Sequence, residues 1–260
     1  MESEIKKELS SLESELEIKI LYAVESGSRA WGFPSTNSDW DVRFIYVHSK
    51  DWYLSIDDKK DNYVKILPND IDLSGWELKK TLKLFRKSNP PFMEWLDSPI
   101  VYKECFSTIS KLREVSEQYF NPKSCMYHYL SMAEGNFREY LKGDKVRIKK
   151  YFYVLRPVLA CMWIERTTEI APMEFDLMVE SEIHDTEVKK EVKNLLVRKK
   201  SGEELDREPK IDSIDQFLEQ QIVYYKEYLR NFDYQKYPDT ELLNKIFRET
   251  LDEIDFQPRS

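Results

Sequence analysis

Apolar and polar positions along the chain follow two different periods. Residues 2–17 are rich in Glu and Lys, and Ile5, Leu9, Leu12 and Leu16 recur at intervals of three to four, which predicts an amphipathic helix covering one face of a sheet. The pattern then changes. An apolar run from Ile18 to Val24 leads into Gly27-Ser28, and a second run from Val42 to Val47 follows Asp39-Trp40-Asp41, an order that predicts strand, tight turn, short helix and strand. Trp52, Leu54 and Ile56 alternate within Asp51 to Asp58, and Tyr63 to Leu67 is another short apolar run, so both predict further strands. A short strand is also predicted at Asn69-Asp70-Ile71-Asp72-Leu73. Ser74 and Glu77 have capping-box spacing, which predicts a helix start there with Leu78, Leu82 and Phe85 facing inward. Pro90 and Pro91 end that helix, and Asn89 is placed to cap the next one.

Pro99, a helical stretch around Lys111 to Glu117, and Asn121-Pro122 mark a transition between residues 100 and 123. Beyond it helical spacing recurs through Tyr127 to Leu141, Ile148 to Trp163, Val188 to Val197, Phe217 to Leu229 and Leu242 to Ile254. Gly143, Pro172, Gly202 and Pro238 separate these segments. Glu174 to Glu182 fits no single pattern, and Arg198 to Glu208 reads as an exposed loop. The expected architecture is α+β: a small mixed sheet with helices over residues 1–110, followed by an all-helical domain over 111–260.

Composition narrows the class. At 260 residues with 41% apolar content the chain can bury a substantial core. It has no apolar stretch of membrane-spanning length, and its charged start, Met1-Glu2-Ser3-Glu4, is unlike a secretory signal, so a soluble cytoplasmic protein with no membrane partner is expected. Cys105, Cys125 and Cys161 are widely spaced and read as free thiols. The net charge of −8 argues against broad attraction to nucleic acid but leaves room for a local basic site. His48, His128 and His184 have no partner at nucleophile or metal spacing and receive no role.

The chemistry concentrates at residues 26–44. Gly27 allows a tight turn and close approach to a ligand, and Ser28 adds a hydroxyl donor. Asp39 and Asp41, two apart at the start of a strand, project to one side while Trp40 and Val42 point to the other. Two neighbouring carboxylates call for a cation, and a hard divalent ion such as Mg²⁺ suits oxygen ligands, with phosphates completing its shell.

Gly27-Ser28 followed by Asp39-x-Asp41 between apolar neighbours resembles the signature of the DNA polymerase beta-like nucleotidyltransferase superfamily. With Lys-Ser-Asn-Pro-Pro at 87–91 and Glu-Trp-Leu-x-Ser-Pro at 94–99, the fuller pattern resembles a smaller group within it, the predicted nucleotidyltransferases linked to RNA repair pathways. The resemblance implies a turn at Gly27 and Ser28 that holds a nucleoside triphosphate. It also implies two metal ions, Mg²⁺ or Mn²⁺, on Asp39 and Asp41 with a third catalytic carboxylate from a later strand. Asp72, between Ile71 and Leu73, fills that place; Asp70 is its main rival, and a turn solvated by both is the third alternative. Substrate-facing roles for Lys87 and Ser88 follow from the same likeness, although Lys79, Lys83, Arg86 and Lys87 also read as a solvated helix face.

A second candidate nucleotide site is the basic and aromatic stretch of Lys142, Lys145, Arg147, Lys149, Lys150 and Arg156 with Tyr151, Phe152 and Tyr153. On a helix Lys149, Tyr153 and Arg156 share a face, which suits a cradle for a triphosphate and base; a solvated face beside core positions accounts for the same pattern. Lys149, Lys150, Tyr153 and Arg156 are the nucleotide-binding candidates. The reaction implied is transfer of a nucleoside monophosphate from a triphosphate to a hydroxyl, with pyrophosphate released. An RNA end, a small molecule or a protein hydroxyl could accept it. The alternative is a noncatalytic module that binds nucleotide or a partner on the same fold.

Overall fold

The structure is a computed structural model and describes residues 1–203, 205–234 and 239–254; Pro238 lies outside the described residues. Helix α1 (Glu2–Leu16) buries Ile5, Leu9 and Leu12, as its apolar stripe predicts. Strand β1 (Lys19–Glu25), the single turn α2 (Gly27–Ala30) and strand β2 (Trp40–Val47) follow in the expected order. The strand expected at Asp51 to Asp58 does not form. In its place is the short helix α3 (Lys50–Tyr53), and Leu54 and Ile56 are 80% and 101% exposed, so the alternation has no buried face to serve. Trp52 instead stacks on His48, with ring centroids 4.1 Å apart and planes at 4°.

Strands β3 (Asn62–Ile66) and β4 (Ile71–Glu77) come next. Helix α4 (Leu78–Arg86) starts three residues later than the Ser74 capping box implies. The reason is strand pairing: β4 lies between β2 and β3 and stays extended to Glu77. Glu77 then caps α4, its carboxylate accepting from Lys79 N and Lys80 N. Asn89 caps α5 (Pro90–Leu96) as expected, and β5 (Val101–Glu104) completes a sheet of order β3-β4-β2-β1-β5. Among the described residues only β2 and β4 pair in parallel.

Alternate residues of the central strands divide the core. Ile20, Val42, Phe44 and Leu73 pack with α1, while Leu21, Val24, Ile45 and Val47 pack with α4 and α5 on the other face. That second face is also covered by α6 (Thr108–Glu114), which α7 (Ser116–Tyr119) follows.

The rest is mostly helical. It contains α8 (Pro122–Tyr140), strand β6 (Lys145–Arg147), a 3₁₀ turn (Ile148–Lys150), α9 (Tyr151–Thr167), α10 (Phe175–Glu182) and α11 (Thr186–Lys200). Strand β7 (Arg207–Pro209), α12 (Asp212–Asn231) and α13 (Thr240–Glu253) close the described chain. β6 and β7 form a small antiparallel pair within the stretch read as basic and loop-like. Helices α8 to α12 share one core, which Phe33 from the α2–β2 loop enters by stacking on Phe152 at 4.9 Å. Helix α13 returns to the sheet, where Leu243 and Ile246 join the core beneath α4. All three cysteines are free, with Cys125 and Cys161 buried and Cys105 partly so. Among the described residues no helix is long and apolar enough to cross a membrane.

Candidate active site

The α2 turn sits directly on Asp41. Ser26 N donates to Asp41 O at 2.9 Å, and Asp41 N donates to Glu25 Oε1 at 2.8 Å. Gly27 has φ +59°, a conformation costly for other residues, and a Cβ there would stand 2.1 Å from Asp41 Oδ2. Position 27 is therefore restricted to glycine twice, by the turn and by the carboxylate. Ser28 Oγ donates to Ser38 Oγ at 3.2 Å, and Ser38 Oγ accepts from Ser35 N at 2.9 Å, so the turn and the loop before β2 are joined through hydroxyls. Arg29 fastens the same loop: it donates to Ser38 O at 2.7 Å and Asp39 O at 3.1 Å, and its guanidinium lies 3.7 Å from the Trp40 ring centroid.

Parallel pairing of β2 with β4 sets Asp41 opposite Asp72. Arg43, two residues along from Asp41 and so on the same side of β2, bridges them: Nη2 donates to Asp41 Oδ1 at 2.8 Å and to Asp72 Oδ2 at 2.9 Å. Burial pushes the Asp41 carboxyl above its ordinary value; Arg43 opposes the shift, while Asp72 and Asp39 add to it. Asp72 and Asp39 are thus both close enough to act on the charge of Asp41. Asp70 does something else. It occupies a turn with φ +60°, and its carbonyl accepts from Trp40 N at 2.8 Å, which sets the β2–β4 register.

The donor set suits a hard divalent ion, since it consists of carboxylate oxygens. Asp41 Oδ2 and Asp72 Oδ1 are left over from the Arg43 bridge. Among the described residues, however, no three His, Cys, Asp or Glu side chains are gathered closely enough to enclose an ion by themselves. Further ligands would have to come from phosphate or water.

Of the basic and aromatic candidates, Tyr153 faces this site. It is 46% exposed, packs edge-on against Trp31 at 6.3 Å, and its phenol pKa is raised by burial and by Asp41 and Asp39. Lys150 lies over the rings of Tyr153 and Tyr140 at 4.5 and 4.3 Å, and burial, then Lys149 and Arg147, lower its pKa. Arg156 is placed differently. It is 2% exposed, donates to Glu94 Oε1 at 2.6 Å, and shares that oxygen with the Tyr129 hydroxyl at 2.7 Å, so it ties α9 to α5 and α8 beneath the site. Ser88 is likewise buried, with its hydroxyl donating to Tyr119 O and accepting from Asn121 N, each at 2.7 Å. Both are engaged within the fold. Lys87 is exposed at the end of α4, in keeping with a solvated face.

Besides Arg29 and Arg43, a more distant cation has no sign in the sequence. Lys199, in the stretch read as an exposed loop, lies in the last turn of α11 and donates to Ser35 Oγ at 3.0 Å and Ser38 Oγ at 3.5 Å. Burial and Lys149 lower its pKa, while Asp39 opposes the shift. The helical spacing of Val188, Val192 and Leu195 could have carried the helix this far, but nothing local indicates the contact with residues 160 positions earlier.

A family model described as the RNA repair pathway DNA polymerase beta family matches residues 1–249. An uncharacterized protein of Bacillus subtilis (strain 168), YcgL, is 48% identical over 254 residues, 98% of each chain. A solved nucleotidyltransferase-like protein from Exiguobacterium sibiricum 255-15 aligns with 96% of this chain and 81% of its own, at 11% identity and a TM-score of 0.34. With Gly27-Ser28, Asp39, Asp41 and Asp72 brought to one end of the sheet and a family match over nearly its whole length, the chain belongs to the RNA repair pathway DNA polymerase beta family.

Proposed function

We propose that the protein is a metal-dependent nucleotidyltransferase that moves a nucleoside monophosphate from a nucleoside triphosphate to a hydroxyl, with an RNA 3′ end as the acceptor. The observation that carries this reading is the register placing Asp72 beside Asp41, against the turn at Gly27 and Ser28. Asp39, Asp41 and Asp72 would hold Mg²⁺ or Mn²⁺. The bound ion supplies charge neutralisation for the phosphates and a lowered pKa for the attacking hydroxyl. Gly27 leaves space for a ligand-facing carboxylate, Ser28 offers a hydroxyl to a phosphate, and Lys150 and Tyr153 offer a cation and a ring face to phosphate and base. In the reaction, the acceptor oxygen bonds to the α-phosphorus, the bond from that phosphorus to the β-bridging oxygen breaks, pyrophosphate leaves, and the hydroxyl proton passes to water. Positioning and charge neutralisation are the protein's whole contribution.

A nucleotide-binding module without transfer is the second reading. The Arg43 bridge favours it, because a guanidinium already pairs with both Asp41 and Asp72 and offsets part of their charge. Incubation with Mg²⁺, each labelled triphosphate and an RNA bearing a 3′ hydroxyl separates the two. Labelled RNA together with pyrophosphate supports transfer; tight triphosphate binding without pyrophosphate under every condition supports the module.

A further inference from the structure

A cavity of about 670 Å³ opens beside the aspartate site, between the loop before β2, strand β6 and the end of α11. Ser35 and Asn37 form one wall; Arg147, Lys149 and Lys199 supply three cations from elements far apart in sequence. Among the described residues none of these three is paired with a carboxylate, whereas the cations flanking Lys199 are engaged: Arg198 with Glu203 and Glu208, and Lys200 with Asp176. Glu203 on the cavity wall shares Arg198 with Glu208, and Asp206 is the other acid among the described lining residues. Lys199 and Lys149 are near enough for each to oppose the other's charge, and the acid acting on Lys199 is Asp39 of the aspartate site, which is not ion-paired with it. Three cations on converging walls, none of them ion-paired among the described residues, suit an anion from outside.

Hydroxyl contacts link the cavity wall to the aspartate site. Lys199 Nζ touches Ser35 and Ser38, Ser38 touches Ser28, and Asp39 follows Ser38 in the chain. Its volume falls within the ~300–1,000 Å³ typical of ligand-binding pockets. Among the described residues no aromatic ring lines it, which suits a charged backbone rather than stacked bases.

We propose that this groove seats the terminal phosphodiesters of a single-stranded RNA acceptor, with Lys199 nearest the reacting end and Lys149 and Arg147 along the strand. The proposal rests on the nucleotidyl-transfer reading for its direction, and it removes Lys149 from the triphosphate cradle to the acceptor path. An acidic protein can in this way hold an RNA end with a few local contacts and no broad basic surface.

Fluorescence anisotropy with a short 5′-labelled single-stranded RNA, measured across a salt series without triphosphate, tests it on the full chain. Wild type, Lys199→Ala, Arg147→Ala and the charge-preserving Lys199→Arg are compared, and ATP and inorganic pyrophosphate affinities are measured calorimetrically on each. Each alanine variant is expected to weaken RNA binding and to flatten the plot of log affinity against log salt by about 0.7, the contribution of one single-strand phosphate contact. Lys199→Arg should keep the slope, and ATP affinity should hardly change. Arg147 is exposed on β6, so its variant keeps the test open if Lys199→Ala fails to fold. Unchanged RNA binding and slope in the alanine variants overturn the groove, as does loss of ATP and pyrophosphate affinity with RNA affinity intact, which would assign the cations to the triphosphate tail. Wild-type ATP binding with no RNA binding also overturns it while leaving transfer to another acceptor standing. The expected slopes in a protein that transfers nothing support the groove and remove the transfer reading instead.

Discussion

The Asp41 carboxylate occupies the space in which residue 27 would carry a side chain: a Cβ on Gly27 would stand 2.1 Å from Asp41 Oδ2 and 3.0 Å from its Cγ. Gly27→Ala must therefore displace either the turn or the carboxylate, in addition to adopting a left-handed backbone conformation that costs about 1–3 kcal/mol. The variant should unfold at lower urea and lose triphosphate affinity together. Wild-type affinity in a folded Gly27→Ala protein would show that Asp41 does not need the place it holds.

Asp72 and Asp70 differ in kind. Asp72 faces Asp41 across the parallel pair and shares Arg43 with it, while Asp70 sets register through its carbonyl and leaves its carboxylate out of the network. Asp72→Asn, like Asp39→Asn and Asp41→Asn, should lower nucleotide transfer on the order of 10²-fold or more, the scale for losing one positioned electrostatic group. Asp70→Asn keeps the carbonyl and should stay within a few fold of wild type. Single-turnover rates with circular dichroism on each variant check this, and a dead Asp70→Asn beside an active Asp72→Asn would reverse the assignment.

The parts of this arrangement that lie close in sequence were legible there, because spacing alone places Gly27, Ser28, Asp39 and Asp41 around one strand-turn-strand unit. Asp72 was legible through its apolar neighbours, which mark a buried strand. Long-range packing decided the rest. Ser74 looks like a helix cap until β2 and β3 are seen to hold Ser74 and Gly75 in a strand from both sides. Trp52, Leu54 and Ile56 alternate like a strand, yet no neighbouring strand pairs with them, and Trp52 finds His48 instead. Arg156 has the residue type and spacing of a phosphate ligand, and only the fold brings Glu94 to it. Lys199 meets Ser35 solely because α11 ends against the loop before β2.

Buried Arg156 offers a test of that third case. Its guanidinium is nearly enclosed and Glu94 is its counter-ion at 2.6 Å, with Tyr129 on the same carboxylate oxygen. Arg156→Met strands the Glu94 charge and should cost about 3–5 kcal/mol, read as a lowered urea midpoint. Arg156→Met with Glu94→Gln should recover much of that loss, because no buried charge is then left alone. A single variant that keeps its stability but loses triphosphate affinity would instead return Arg156 to the phosphate.

His48 gives stability a pH dependence of known sign. Its ring stacks on Trp52 and edges against Tyr46 at 5.5 Å, and burial, with Lys59 as a second cause, lowers its pKa from 6.5 to about 4. The folded state therefore holds the neutral imidazole while the unfolded chain takes up a proton more readily. The stabilising contribution is fully present above pH 6.5 and is lost as pH falls through about 4. Other buried acids respond to pH as well, so the informative quantity is a difference. His48→Phe retains a flat ring for Trp52 and cannot be protonated. The gap in urea midpoint between wild type and His48→Phe should accordingly shift in favour of the variant on going from pH 7 to pH 4.5. A gap that stays constant over that interval would mean that His48 has the same proton affinity in the folded and unfolded chains, and that burial beside Trp52 does not hold it neutral.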